Sequence, residues 1–395
     1  MNSNYIKNGY IVCKCVADAV NNKHTSVKKC EKAQDVENRI SFLKAHNLIT
    51  FFDYVVDKND FESLLSKEKS VKFSEMVNRA VFRQLKYDLM SDSISSSLLS
   101  KGIRHIVLKG TQLKNFYPDN IVRTSNDIDI YVEKKDIESA DKVLTDNGFA
   151  FDHSYEDHEF IYKKEPRYYV ELHTNLGGFG KKQKAILKSM ADKTINASDN
   201  SCTLSNEDCY IYVLCHLYKH FVQSGAGVRM FLDLYLLRKN ATLDFDYISE
   251  MLIALSLDGF DSVVTQINRC LFEQERADED IQEVIEFIFD SGVFGKSSNT
   301  VYLSEVNKTA RYDSSFEHLK ETKGMSFVAM KKRYPILKRF PILYPFSFVH
   351  RFFYGLYKKR DLLKSAYDNK KSMDKHSVEK YERILKISKV NTKNK

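Results

Sequence analysis

The chain has few cysteines and none in a spacing that organises a site. Seven are scattered at positions 13, 15, 30, 202, 209, 215 and 270, an odd number with no Cys-x-x-Cys pair. That argues against a zinc ribbon or a secreted disulfide framework, so they read as reduced core residues. No charge-free apolar run of about 18 residues occurs, and no transmembrane helix is expected. The opening stretch, MNSNYIKNGYIVCKC, is too polar for a signal peptide. The expected location is therefore cytoplasmic. Proline is scarce as well: there are five, and three of them stand at 335, 341 and 345. No internal repeat is found.

What is present points to a folded chain. Of its 395 residues, 43% are hydrophobic and 29% charged, a globular rather than a disordered balance. The charge is unevenly placed. Residues 325–395 carry 19 Lys and Arg against 5 Asp and Glu, a net of +14, while the remainder is at −6. A basic tail on a mildly acidic body suits an anionic partner or surface.

Periodicity divides the chain further. DVENRISFLKAHNLITFFDYVV and FSEMVNRAVFRQLKYDLMSDSISSSLLSKG have apolar residues three and four apart, which predicts helices, the second closed by Gly102. RHIVL (104–108) then reads as a strand, Lys109-Gly110-Thr111 as a tight turn, and TQLKNFY as a short helix. DIDIYVE is a second strand, followed by a helix closed by Gly148 and three strand candidates at 149–153, 158–164 and 167–176. Strands mixed with helices at this density predict a small sheet layered against helices. Beyond Ser205, which with Asp208 gives a partial capping signature, DCYIYVLCHLYKHFVQ and VRMFLDLYLLRKN read as helices parted by SGAG. Helix is expected to about 293, and 294–324 is weakly patterned.

Asp127-x-Asp129 is the first candidate site. In a strand both carboxylates project from one face, opposite Ile128 and Ile130. Taken alone the pair is unspecific, because Asp244-x-Asp246, Asp278-x-Asp280 and Asp157-x-Glu159 have the same spacing. Its context is more telling. Gly110, flanked by Lys109 and Thr111 between a strand and a helix, lets backbone amides approach a phosphate. Glu171 stands in another strand-like segment. A phosphate cradle, two adjacent carboxylates and a third from elsewhere are the minimum for two-metal phosphoryl transfer.

The stretch LKGTQLKNFYPDNIVRTSNDIDIYVEKKDIESADKVLTDNGF resembles the uncharacterised bacterial nucleotidyltransferase family of the DNA polymerase β-like superfamily. Lys109-Gly110, Tyr117-Pro118, Arg123, Asp127/Asp129 and Gly148-Phe149 follow that family's order, and VELHTNL resembles its later Glu-Leu-His element. The resemblance centres on residues 100–176, continues to about 240 and reaches into the proline-aromatic tail. Where the superfamily usually has Gly-Gly or Gly-Ser, this chain has Gly110-Thr111, and its gap to the carboxylates is longer.

The resemblance implies an α+β fold, with a small mixed-sheet nucleotidyltransferase core at 98–200. Helical regions at 1–97 and 201–324 flank it, and a basic aromatic tail follows at 325–395. It further implies that Asp127, Asp129 and Glu171 bind two Mg²⁺ ions, with Glu171 helping to deprotonate the acceptor. Lys109, Gly110, Thr111 and Arg123 would hold a nucleoside triphosphate, ATP being the expected one. The reaction would place a nucleoside monophosphate on a hydroxyl acceptor. The family's genes commonly lie beside surface-polysaccharide genes, which points to a glycan, lipid-linked or protein hydroxyl. Similar Lys-Gly-Thr and Asp-x-Asp patterns in abortive-infection toxins leave a transferase acting on RNA or protein as an alternative. A binding or scaffold protein without turnover is another.

His173, His216, Lys219 and His220 are candidates for acceptor recognition. His216 and His220 share one helical face, and without the glutamate of His-Glu-x-x-His they do not indicate a zinc protease. Arg229 and Asp233, also four apart, read as an ordinary helix-surface pair. Residues 327–360 hold ten aromatics among Lys and Arg. That composition fits either a helical cap on the body or a peripheral membrane element, and fits nucleic acid less well beside an acidic body.

Overall fold

The computed structural model describes residues 3–21, 33–57, 61, 64–155, 158–177, 180–197, 203–293, 295–309, 331, 334, 336–347, 349–350 and 375–390. Among the described residues, helices come first: α1 (Ser3–Val20), α2 (Ala33–Ala45), α3 (Ile49–Val55) and the long α4 (Lys67–Ser100). The Ser66 side chain accepts from the Lys69 amide to start α4. At its end the Ile103 amide reaches back to the Leu98 carbonyl around Gly102, whose φ is +68°. Only a residue free of a Cβ takes that conformation cheaply, which is why glycine closes the helix.

The sheet follows. Its strands are β1 (His105–Val107), β2 (Ile128–Val132), β3 (Ala150–Tyr155), β4 (Glu159–Lys164) and β5 (Tyr168–His173). The short α5 (Gly110–Leu113) links β1 to the segment before β2, and α6 (Ile137–Asp146) links β2 to β3. The spatial order is β1-β2-β5-β4-β3. β2 and β5 are parallel and every other pair is antiparallel. This is the mixed sheet of an α+β fold, as the sequence predicts.

Side-chain alternation then divides the sheet's two faces. Ile128, Ile130, Val132, Phe160, Tyr162, Val170 and Leu172 pack with α4 residues Tyr87, Ile94 and Leu98 and with α6. The residues between them, Asp129, Tyr131, Glu171 and His173, therefore point to the opposite face. There α7 (Gly180–Ala197), α8 (Asn206–Gln223) and α9 (Val228–Asn240) close over them. Tyr131 donates to Asp192 of α7, and Lys219 of α8 lies 3.7 Å from Glu159 of β4.

Three further helices, α10 (Phe245–Leu255), α11 (Asp258–Phe272) and α12 (Glu279–Ser291), complete the layer. Helix α1 packs against α2, α3, α11 and α12, so the chain's beginning shares one core with helices more than 200 residues away. His46 ties this layer together. Its Nδ1 accepts the Val228 amide of α9, and its Nε2 faces the Phe289 carbonyl of α12 at 3.1 Å. Gly227 allows the approach, since a Cβ there would lie 2.6 Å from the Gly292 and Val293 backbone and 2.7 Å from His46 Nδ1.

Helix α13 (Ser297–Thr309) forms within the weakly patterned stretch. Tertiary contact explains it: Tyr302 stacks on Tyr381 of α15 (Lys375–Ile387), and Tyr381 also donates to Asn299. Between them lies α14 (Ile336–Arg339). Leu337 is buried in the core beneath the sheet, with Tyr334, Leu343 and Tyr344 packed partly against it. Ile336, Phe340, Ile342, Phe346 and Val349 remain exposed. Much of the basic aromatic tail, including 351–374, lies outside the described residues. Among the described residues, no helix is long and apolar enough to cross a membrane.

Candidate active site

The sheet's helix-covered face opens into a cavity of about 320 Å³ lined by residues from α5, β2, β4, β5, α8 and α9 and the loops between them. Asp129 and Glu171 are direct register partners across the parallel β2–β5 pair. Two residues along β5, His173 turns to the same side. A carboxylate oxygen of each acid and a ring nitrogen of His173 all lie within 4.8 Å of one another. His173 Nε2 is 2.9 Å from Asp129 Oδ1 and 3.6 Å from Glu171 Oε2.

Lys109 sits on the turn after β1 with φ +50°, a conformation that L side chains rarely adopt. The turn directs its ammonium onto Asp129, 3.0 Å away, and to 5.9 Å from the Tyr212 ring. Strain of this kind costs on the order of 1–3 kcal/mol and persists only where surroundings hold it. Gly110 follows, and a Cβ there would lie 2.7 Å from Ser125 Oγ, so the backbone stays bare.

These neighbours set the charges. Burial opposes ionisation of Asp129, but Lys109 and His173 outweigh it and hold the carboxyl below its usual range. Burial likewise disfavours the charged imidazole of His173, yet hydrogen bonds to Asp129 and Glu171 raise it to about 9. Asp127 has no such hydrogen bond among the described residues; burial, then Asp129, push it up to about 7 against the opposing pull of Lys109. The carboxylates are thus balanced by cations built into the chain. The donor set suits a divalent cation: Asp129 and Glu171 offer hard oxygens, and His173 offers a nitrogen only once its Nε2 proton is released. Such an ion would take over the counter-charge that Lys109 and His173 supply to Asp129.

The other residues singled out by sequence fall as follows. Asp127 precedes the first residue of β2 and lines the same cavity, but it stands outside the three-residue cluster. Thr111 is not on this cavity; it borders a recess of about 20 Å³ that Gly110, Asp127 and Asp129 share with Gln84, Asp88 and Ser91 of α4. Arg123 lines the cavity, yet its Nε and Nη2 donate to the two oxygens of Asp233 at 2.7 and 2.9 Å. Lys219, His216 and His220 are on the wall formed by α8. Burial and nearby Lys109 hold His220 down at about 4 and His216 well below its ordinary value.

The reading of Arg229 and Asp233 as a helix-surface pair needs correction. Asp233 is buried and bonded to Arg123 and Tyr117, while Arg229 donates to the Thr124 carbonyl at 2.7 Å. Both line the cavity. The pair's partners lie more than 100 residues away, so spacing along α9 could not reveal them. Tyr212, His158 and Glu159 also line the cavity and were not singled out by sequence. A signal existed for Tyr212, which precedes His216 by four and His220 by eight, and the three rings form one column.

The competing acidic pairs resolve differently. Asp244 and Asp278 are helix N-caps, accepting from the amides of Asp246 and Tyr247 and of Ile281. Glu159 lines the cavity from β4, and Asp157 lies outside the described residues.

The uncharacterised nucleotidyltransferase family matches residues 32–272, more than half of the chain, from α2 to α11. No curated protein and no solved structure shows a significant match. The matched span holds every charged residue of the cavity described above, and the chain belongs to the uncharacterised nucleotidyltransferase family.

Proposed function

We propose that the chain transfers a nucleoside monophosphate from a nucleoside triphosphate, ATP in the first instance, to a hydroxyl acceptor. The observation that carries this reading is the Asp129–Glu171–His173 cluster, set across parallel strands at a cavity walled by Lys109. In the reaction the acceptor oxygen bonds to the α-phosphorus and the bond to the β-phosphate's bridging oxygen breaks, releasing pyrophosphate. Glu171, exposed toward the cavity more than Asp129, takes the hydroxyl proton. Lys109 and the bare backbone at Gly110 receive phosphate oxygens. Mg²⁺ ions held by Asp127, Asp129 and Glu171 would supply charge neutralisation for the attacking and leaving oxygens.

The acceptor side of the cavity is the wall of His216, Lys219 and His220. Neutral imidazoles beside an ammonium suit a polyhydroxylated acceptor, consistent with a glycan, a lipid-linked sugar or a protein hydroxyl. We also infer peripheral membrane contact within 327–360 through the exposed side chains of Ile336, Phe340, Ile342, Phe346 and Val349, flanked by the basic tail.

Calorimetry with each nucleoside triphosphate, with and without Mg²⁺, tests the central claim. Binding that requires Mg²⁺ and weakens at least about tenfold in Asp129→Asn and Glu171→Gln is expected. Triphosphate binding indifferent to both Mg²⁺ and these substitutions would favour a scaffold without turnover. Mass spectrometry of cell extract incubated with labelled triphosphate then identifies the acceptor, an RNA product favouring the toxin-like alternative.

A further inference from the structure

Four cationic side chains outside the histidines line the cavity among the described residues: Lys109, Arg123, Lys219 and Arg229. Three face a carboxylate. Lys109 is 3.0 Å from Asp129, Arg123 is 2.7 Å from Asp233, and Lys219 is 3.7 Å from Glu159. Arg229 differs. Its Nη1 is fixed by the Thr124 carbonyl, and its Nε is buried without a hydrogen-bond partner. The acid one turn along its own helix, Asp233, has both oxygens occupied by Arg123 and one also by Tyr117. Arg123 and Arg229 thus share the field of Asp127 and of Asp233, whose oxygens Arg123 takes, so among the described residues no carboxylate pairs directly with the Arg229 guanidinium.

A buried donor without an acceptor is costly, and a guanidinium costs more than a neutral group. An oxyanion entering the cavity that Arg229 lines would supply the counter-charge its guanidinium lacks. We propose that Arg229 grips the polyphosphate of the incoming nucleotide, a role that rests on the nucleotidyltransferase reading and assigns the phosphate tail to one side of the site. The location fits that chemistry. Arg229 and Asp127 line one cavity, so an anion held by Arg229 lies within the site that holds the carboxylates. The histidine column of α8 lines the same cavity and carries no fixed cationic charge of its own, so it is left for the acceptor. Planar N–H donors suit phosphate oxygens better than a point charge does.

The grip is preset by the fold. Thr124, whose carbonyl holds Nη1, donates its hydroxyl to Asn47 Oδ1 at 3.0 Å, and Asn47 Nδ2 returns a bond to the Thr124 carbonyl at 3.3 Å. Asn47 follows α2 with φ +54°, a conformation that asparagine tolerates better than most residues. Asn47 is therefore a positioning residue, connecting the N-terminal helices to the orientation of Arg229.

The test uses the full chain and inorganic tripolyphosphate with Mg²⁺, measured by calorimetry. Arg229→Gln is expected to weaken tripolyphosphate binding by about 10- to 100-fold, the loss typical of a charged hydrogen bond. Arg229→Lys should fall between. Far-ultraviolet circular dichroism and a cooperative thermal transition should match wild type in both variants, which shows that they are folded. In wild type, saturating tripolyphosphate should shield Arg229 from phenylglyoxal, read by peptide mass spectrometry. Equal tripolyphosphate affinity in wild type and Arg229→Gln overturns the assignment, as does undiminished labelling of Arg229. If triphosphate binding is lost in Asp129→Asn but kept in Arg229→Gln, the transferase reading stands and only Arg229's role falls. A wild type that binds neither nucleotide nor tripolyphosphate overturns both.

Discussion

Replacing Asp233 by Asn tests how the helical layer is fixed to the carboxylate-bearing segment. Arg123 and Asp233 are about 4 and 5% exposed, so neither can turn to solvent when its partner is lost. Asn keeps the shape and one acceptor, but it leaves the Arg123 charge buried beside Arg229 without compensation. Breaking a buried pair from one side costs about 3–5 kcal/mol. At roughly 2 cal/mol/K per residue, unfolding 395 residues in one transition carries about 0.8 kcal/mol/K of entropy. Tm should therefore fall by about 4–6 °C. The double variant Arg123→Met/Asp233→Leu, which removes both charges, should recover most of that loss, because the pair's net contribution is small once desolvation is counted. Scanning calorimetry at neutral pH measures both. A drop below about 1 °C in Asp233→Asn, or a double variant no more stable than the single, would refute the argument and show that Arg123 reaches another anion.

Two further outcomes follow from other parts of the molecule. Burial holds His46 at about 3 instead of 6.5, the Phe289 carbonyl opposing and Lys296 assisting, so between those values the unfolded chain binds a proton that the folded chain refuses. Stability should then fall as pH drops below 6.5, by about 1.4 kcal/mol per unit toward pH 3, and be unaffected by this group above 6.5. Urea titrations from pH 7 to 4.5 should show that slope diminished in His46→Gln; parallel curves would rule it out. Vesicles containing anionic lipid should float the full chain through its exposed apolar residues, and Ile342→Asp/Phe346→Asp should abolish flotation. Equal flotation of both proteins would remove the membrane contact.

Local chemistry explains which features were legible in the sequence. The glycines at 102 and 148 end helices because each backbone bond they close needs a positive φ, a requirement visible in one residue. Ser205 capping α8 and the helix break at SGAG are equally local. The alternation in DIDIYVE and VELH was enough to put Asp129 and Glu171 on a common side once both strands entered one sheet. Helix α13 escaped notice because its stability comes from Tyr381, some 80 residues further on. Arg229 and Asp233 looked superficial because a helix repeat describes neighbours on one helix and says nothing about a guanidinium arriving from residue 123.

The sequence by itself determined the element types, the α+β class and the family resemblance, since these rest on spacing within a few tens of residues. It also marked Lys109, Asp127, Asp129 and Glu171 as a set worth placing together. Tertiary structure added the neighbours: His173 joins Asp129 and Glu171, Asp127 lines the same cavity, Thr111 borders a small recess beside the two aspartates and Arg123 pairs with Asp233. The physical reason is that pairing between distant segments fixes where each charge finds its counter-charge. Spacing can bring two carboxylates to one face, but only the packed fold settles which cation neutralises each and which is left waiting for a ligand.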